Sequence, residues 1–233
     1  MSFYPEKCKV LTISRKKQPI MNSYTLHGQQ LEHVTTAKYL DVSITSDMKW
    51  NQHISNICKK ANNTMSFLKR NLNIRNANIK EKAYKSLVRP TLEYACTTWD
   101  PYLNLVKEEK NRIEMVQRRA ARYVVNRYHN TSSVTSMLEE LKWPTLEERR
   151  QRARLVLMYK IVNGLVKFDA TDRFVQPSRL SRNMGQHSFQ IPSCNTIIRK
   201  ESFYPRTIRD WNALPTDTAT TKSLESFKAH LLD

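Results

Sequence analysis

Glycine is nearly missing from this chain: Gly28, Gly164 and Gly185 are the only three in 233 residues. That scarcity excludes glycine-rich phosphate loops and argues against an all-β chain full of tight turns. Cysteine is almost as sparse. Cys8, Cys58, Cys96 and Cys194 lie far apart and form no CxxC, which fits an intracellular, reduced protein with small buried thiols better than a disulfide framework. No apolar run approaches the length that spans a bilayer, so no membrane partner is expected. The N-terminus, MSFYPEKCKVL, has no apolar signal core. Two-metal phosphoryl transfer needs carboxylates that hold ions about 4 Å apart, and no Asp-Asp pair occurs. Asp169 and Asp172 sit in a polar stretch and read as solvated turn residues. None of His27, His33, His53, His129, His187 and His230 pairs with a cysteine at ligand spacing. His53 and Cys58 come nearest, but Cys58 belongs to an apolar helical stripe, so no metal site is expected. GxSxG and GxxxxGK[ST] are both absent. No catalytic residue, metal ligand or cofactor is therefore nominated.

Acidic residues are also few. Asp and Glu number 21 against 39 Lys and Arg, a formal net charge of +18. An excess of this size points to a polyanionic partner, nucleic acid or an anionic membrane surface. At 233 residues the chain can bury one large core or two small ones.

Residues 6–44 read as strands. Glu6–Ser14 is β-rich, Arg15–Pro19 is a polar loop, and His27-Gly28 is a hairpin turn between Tyr24–Leu26 and Gln30–Val34. Lys38–Ile44 is a third short strand. So little sheet does not stand alone, and it is expected to complete a sheet in an N-terminal portion absent from this sequence. From Asn51 the period becomes helical. Ile54, Ile57, Cys58, Ala61, Met65, Leu68 and Leu72 share one stripe. Asn76 or Asn78 caps a second helix with Ile79, Ala83, Leu87 and Val88 inward, and Pro90 kinks or restarts it. Trp99-Asp100-Pro101 is a stop. A helix from about Leu105 to Tyr128 turns Ile113, Val116, Ala120, Tyr123 and Val124 inward. Ser132 or Ser133 opens a short helix with Met137. Thr145 and Glu148 form a capping box for a central helix that ends near Gly164. Lys167–Gly185 is a polar linker. Ser188–Ile191 and Asn195–Arg199 are strand candidates, Ser202–Leu214 is a helix burying Phe203, Ile208 and Trp211, and Ser223 caps a final helix. The fold class is mostly α with a small N-terminal β portion (α+β), a helical bundle followed by a short hairpin and two short C-terminal helices.

The helices are conspicuously basic. Lys59, Lys60, Lys69 and Arg70 lie on the first; Lys80, Lys82, Lys85 and Arg89 on the second; Arg112, Arg118, Arg119, Arg122 and Arg127 on the third; Arg149, Arg150, Arg152 and Arg154 on the fourth. Together they predict a positive surface that tracks phosphates without reading bases. Phe67, Tyr84, Tyr94, Trp99 and Tyr123 lie nearby as base-stacking candidates, with core packing the plainer role for Tyr94, Trp99 and Tyr123. For Arg149 and Arg150 the plainer role is helix-surface pairing with Glu147 and Glu148.

Several segments together resemble a family. Tyr39-Leu40-Asp41-Val42 followed by Met48–Ile54 resembles YLGV…W-x-x-HI. Ala83–Ala95 with Trp99-Asp100-Pro101 (AYKSLVRPTLEYA…WDP), Val116–Arg122 (VQRRAAR), Leu146–Arg150 (LEERR) and Phe203–Pro215 (FYPRTIRDWNALP) follow in order. The set resembles the rear of non-LTR (LINE-like, jockey-like) retrotransposon reverse transcriptases, over nearly the whole chain. The resemblance implies a right-hand RNA-directed DNA polymerase. Lys7 would be the palm lysine near the nucleotide phosphates, and Tyr39, Leu40, Asp41 and Val42 the primer grip. From Asn51 onward the helices would form a thumb holding an RNA/DNA template–primer duplex by its backbone. Segment bounds are then 1–50 for palm remnant and primer grip, 51–166 for the thumb-like bundle, 167–186 for a linker and 187–233 for the tail. The nucleic-acid backbone contacts would be Lys59, Lys60, Lys69, Arg70, Lys82, Lys85, Arg89, Arg118, Arg119, Arg122, Arg149 and Arg150. The family's Mg²⁺-binding aspartates, fingers and endonuclease are expected upstream of Met1, so no polymerase activity is expected of this chain alone. An upstream palm and fingers portion would be its partner. Asp41 stands where the family has glycine, and its carboxylate would repel phosphate. A domesticated helical scaffold with a basic face, or a relic without a role, are the alternatives.

Overall fold

A computed structural model describes residues 4–14, 16–101, 107–129, 131–167, 169–170, 172–179 and 185–232. The fold is mostly α with a small N-terminal β portion. After a short 3₁₀ turn at Pro5–Lys7 the described residues form six strands: β1 (Lys9–Leu11), β2 (Thr25–Leu26), β3 (Gln29–Gln30), β4 (Glu32–Val34), β5 (Thr36–Tyr39) and β6 (Val42–Thr45). They pair in twos. β1 runs parallel to β4, whereas β2–β3 and β5–β6 are antiparallel hairpins. The β2–β3 turn falls at His27-Gly28 as expected, both residues at positive φ (50° and 78°), the backbone a two-residue type I′ turn demands. Lys38–Ile44 is not one strand but the second hairpin. Leu40 and Asp41 adopt φ of 46° and 64°, which folds Val42 back against Tyr39.

The helices are α1 (Asn51–Asn71), α2 (Ala77–Ala83), a π-turn (Tyr84–Val88), α3 (Arg89–Glu93), α4 (Cys96–Trp99), α5 (Lys107–Val125), α6 (Val134–Glu140), α7 (Leu146–Val162), α8 (Ile197–Lys200), α9 (Phe203–Asn212), α10 (Thr216–Ala219) and α11 (Leu224–His230). Their starts follow local chemistry. Asn76 accepts from the Asn78 and Ile79 amides, Ser133 from Ser136, Thr145 from Glu148 and Ser223 from Ser226, each satisfying donors that a helix N-terminus leaves open. The expected start of α5 near Leu105 lies outside the described residues, as do parts of the 167–186 linker. Ser188–Ile191 and Asn195–Arg199 form no strand. Phe189 exchanges both its backbone hydrogen bonds with the Asn212 side chain, and Thr196 caps α8 instead.

The inward face of α2–α3 departs from expectation. Lys80, Tyr84, Val88 and Leu92 are buried, while Ile79 and Leu87 are exposed. Pro90 supplies the reason. It has no N–H to donate one turn back, and the turn before it widens so that the Arg89 amide bonds Tyr84 O in the i→i+5 pattern. More residues per turn re-phases the helix, and four-residue steps stay on one face.

The chain forms two compact units, Met1–Leu92 with Asn111–Asn126, and Glu93–Lys110 with Arg127–Asp233. They do not coincide with the segments read from the sequence: residues 51–166 are shared between both. The first unit buries the α1 stripe (Ile54, Ile57, Cys58, Ala61, Met65, Leu68) together with Tyr84, Val88, Ile113, Val116, Ala120 and Val124. The second has its own core of Leu155, Met158, Tyr159, Phe189, Ile208, Trp211 and Phe227, with Phe174 from the presumed linker packed against it.

Candidate functional site

Within the first unit, α1 and α5 lie side by side and run in the same direction. Arg112 donates to Ser55 Oγ (3.1 Å) and Arg119 to Asn62 Oδ1 (3.1 Å). Farther on, the Tyr123 hydroxyl reaches the Leu68 and Leu72 carbonyls. Both side-chain pairs are 57 residues apart, and a constant offset means parallel helices in register. The segment from Lys80 to Tyr84 runs the opposite way along α5: Lys80 Nζ donates to Tyr123 O and Tyr84 OH to Gln117 Oε1.

This register sorts the cations. Ser55, Lys59, Asn62 and Lys69 recur at three-, four- and seven-residue steps, so they share the α1 face on which Arg112 and Arg119 land. Lys59, Lys69, Arg118 and Arg119 are exposed, and Arg122 is half-buried with its Nε enclosed. Burial, then the like charge of Arg119, lowers the Lys69 ammonium from its ordinary pKa. Lys60 lies on a different α1 face, shared with Asn56, which touches Ser43 of the β5–β6 hairpin. Sequence reasoning placed Arg112 on a basic helix without singling it out. Its seven-residue step to Arg119 was the available signal.

The other nominated residues are scattered. Lys7 is exposed, its ammonium 5.8 Å from the Tyr4 ring centroid. Tyr39 and Leu40 project at the hairpin tip, whereas Val42 is buried. Asp41 is bridged by Lys38 and, at 3.6 Å, by Lys60. The hydrogen bond from Lys38, then the positive charges of Lys38 and Lys60, hold its carboxyl below the usual range. Lys82 is exposed, Lys85 pairs with Glu81, and Arg89 is half-buried. Lys80 is no surface cation at all, being buried over the Tyr123 ring at 4.8 Å. Of the stacking candidates, Tyr84, Trp99 and Tyr123 are core residues, while Phe67 and Tyr94 are exposed. Tyr94 thus reverses the core role assigned to it.

Arg149 and Arg150 require the largest correction. Each bonds a carboxylate distant in the sequence, 56 residues away for Arg149 and 50 for Arg150. Arg149 forms a two-pronged bridge to Glu93. Arg150 is fully buried and its Nε donates to Asp100 Oδ1 (2.7 Å). Arg154 donates to Asp100 Oδ2 and to Asp210 (2.9 Å). Arg206 adds a third cation, 3.1 Å from Asp100 Oδ2. Three segments that carried the resemblance (WDP, LEERR and FYPRTIRDWNALP) therefore converge on one buried carboxylate in the second unit. Trp99 Nε1 donates to Tyr94 O and Trp211 Nε1 to His187 O, anchoring the same segments.

The two units differ in charge accordingly. The first holds 20 Lys and Arg against 6 Asp and Glu, a net of +14; the second holds 19 against 15, a net of +4. Among the described residues no group of three or more His, Cys, Asp and Glu is placed to hold a metal ion. No helix among them is long and apolar enough to cross a membrane. Compared with protein-family models, curated proteins and solved structures, the chain matches none.

Proposed function

We propose that the chain binds nucleic acid by its backbone through the parallel α1–α5 face of the first unit, holding a duplex without extending it. The observation that carries this reading is the +14 net charge of that unit, together with the register that lines up Lys59, Lys69, Arg112 and Arg119 across two helices. Cations on a rigid helical pair meet phosphates at fixed spacing and read no base edge, so binding would be indifferent to sequence. The resemblance to the thumb of a non-LTR reverse transcriptase supports an RNA–DNA hybrid as the ligand, with the chain as a non-catalytic remnant of that polymerase. The second unit supports the rival reading, a helical scaffold, because Arg149, Arg150, Arg154 and Arg206 are bound to its own carboxylates.

Fluorescence anisotropy with an RNA–DNA hybrid separates the two. The logarithm of affinity should fall with the logarithm of salt by about 0.9 for each phosphate neutralised. Arg112→Gln with Arg119→Gln should lower that slope by about 2. Arg199→Gln with Lys200→Gln, on the second unit, should leave it unchanged. Absence of hybrid binding at low salt, or equal losses from both pairs, would sink the proposal. Primer extension with Mg²⁺ should give no product above blank.

A further inference from the structure

The second unit also contains a groove, bounded by the end of α3, the start of α4, and helices α7 and α11, enclosing about 450 Å³. That size suits a small organic ligand. Its apolar wall is aliphatic: Cys96, Ala153, Val156 and Leu231. Among the described residues no aromatic ring lines it to stack a base, and no hydroxyl or amide side chain lines it to read a sugar. The polar lining is Glu93, Arg149, Arg152 and Lys228, three cations against one carboxylate. Arg149 is held by Glu93, whereas Arg152 on α7 and Lys228 on α11 add two further positive charges. Among the described residues neither Arg152 nor Lys228 sits in an ion pair. The Cys96 thiol is pushed up to about 11, first by burial and then by the nearby Asp100 carboxylate, so it lines the groove as a neutral group.

We propose that this groove binds a single-chain amphiphile, an aliphatic tail against Cys96, Ala153, Val156 and Leu231 with a carboxylate or phosphate head between Arg152 and Lys228. An unbranched tail matches a wall without hydrogen-bonding side chains. An anionic head matches an arginine fork and an ammonium that line the same groove. The site lies on the unit of low net charge and is independent of the nucleic-acid reading. Neither stands or falls with the other.

Calorimetric titration of the full chain with decanoate, decyl phosphate and decanol tests the proposal. The anions should bind at one saturable site, and decanol about tenfold or more weaker, as expected for loss of a charge-assisted contact. Carboxylate against phosphate affinity identifies the preferred head. Shortening decanoate to octanoate should weaken binding about fourfold for each methylene removed. Arg152→Gln with Lys228→Gln should bring decanoate down to the decanol level while decanol is unaffected. NMR shifts on titration should fall on the Val156 and Leu231 methyl groups. The proposal is overturned if decanol binds as well as decanoate, if no saturable site exists, if the double variant binds decanoate unchanged, or if the methyl signals of Val156 and Leu231 stay still.

Discussion

Replacing Asp100 by asparagine removes the one carboxylate on which three arginines of the second unit converge. Arg150 has most to lose. It is fully buried, its Nε rests on Asp100 Oδ1, and its two terminal nitrogens find no acceptor among the described residues. Arg154 keeps Asp210 as a second partner, and Arg206 keeps its bond to the Asp100 backbone carbonyl. Asp100→Asn is isosteric, so no cavity opens and the effect is electrostatic. Removing one partner of a buried ion pair costs about 3–5 kcal/mol because the other charge stays buried and uncompensated. Against a total stability of about 5–15 kcal/mol, that is a large share. With a urea m-value of about 2 kcal/mol/M, the unfolding midpoint should drop by about 1.5–2.5 M. Tryptophan fluorescence is a suitable assay, since Trp99, Trp143 and Trp211 lie in the second unit and Trp50 alone in the first. Adding Arg150→Met to Asp100→Asn should recover part of the loss, because the stranded charge is then gone. A midpoint shift below about 0.5 M, or simple additivity of the two substitutions, would refute the idea that Asp100 is the counterion that lets the second unit bury its arginines.

Other outcomes follow from the first unit. His53 is buried, its Nδ1 accepts from the Ser43 amide, and burial lowers its pKa from the usual 6.5 despite the opposing pull of Asp41. The unfolded chain then takes up the proton more readily than the folded one. This contribution to stability is complete above about pH 6.5 and is lost as pH falls towards the depressed folded value. Urea midpoints followed by circular dichroism should decline from neutral pH to about pH 5, and less so in His53→Asn; identical pH profiles for both proteins would exclude the mechanism. Asp41→Gly should favour the β5–β6 hairpin, because glycine adopts positive φ without a Cβ clash. It also releases Lys38 and Lys60 from their bridges. Hybrid binding should tighten with a salt slope steeper by about 1; weaker binding would show that Asp41 positions those lysines rather than occupying them.

Legibility in the sequence followed the range of the interaction. The α1 stripe from Ile54 to Leu68 and the α5 stripe from Ile113 to Val124 are buried where periodicity put them. The α2 stripe failed because the rule assumes one period throughout, whereas the π-turn ahead of Pro90 changes it. By β-propensity Lys38–Ile44 reads as a single strand, blind to a turn made of Leu40 and Asp41, neither of them glycine, and only the resemblance to a primer grip implied a hairpin over Tyr39–Ile44. The basic face was half-legible. Arg118 and Arg119 are exposed, but Arg150 on an equally basic helix is wholly enclosed.

The sequence by itself determined the caps at Thr145 and Ser223, narrowed two more to Asn76 or Asn78 and Ser132 or Ser133, and set the α1 and α5 periods, the His27-Gly28 turn and the large positive charge, because these depend on residues within about one turn of one another or on composition alone. Tertiary structure alone decided which cations remain at the surface. Arg150 finds Asp100 across 50 residues and Arg154 finds Asp210 across 56, separations over which no local pattern carries information. The same packing pairs α1 with α5 at a constant offset of 57. It leaves one unit strongly positive and the other near balance, because the packing decides which Asp and Glu share a unit with which cations.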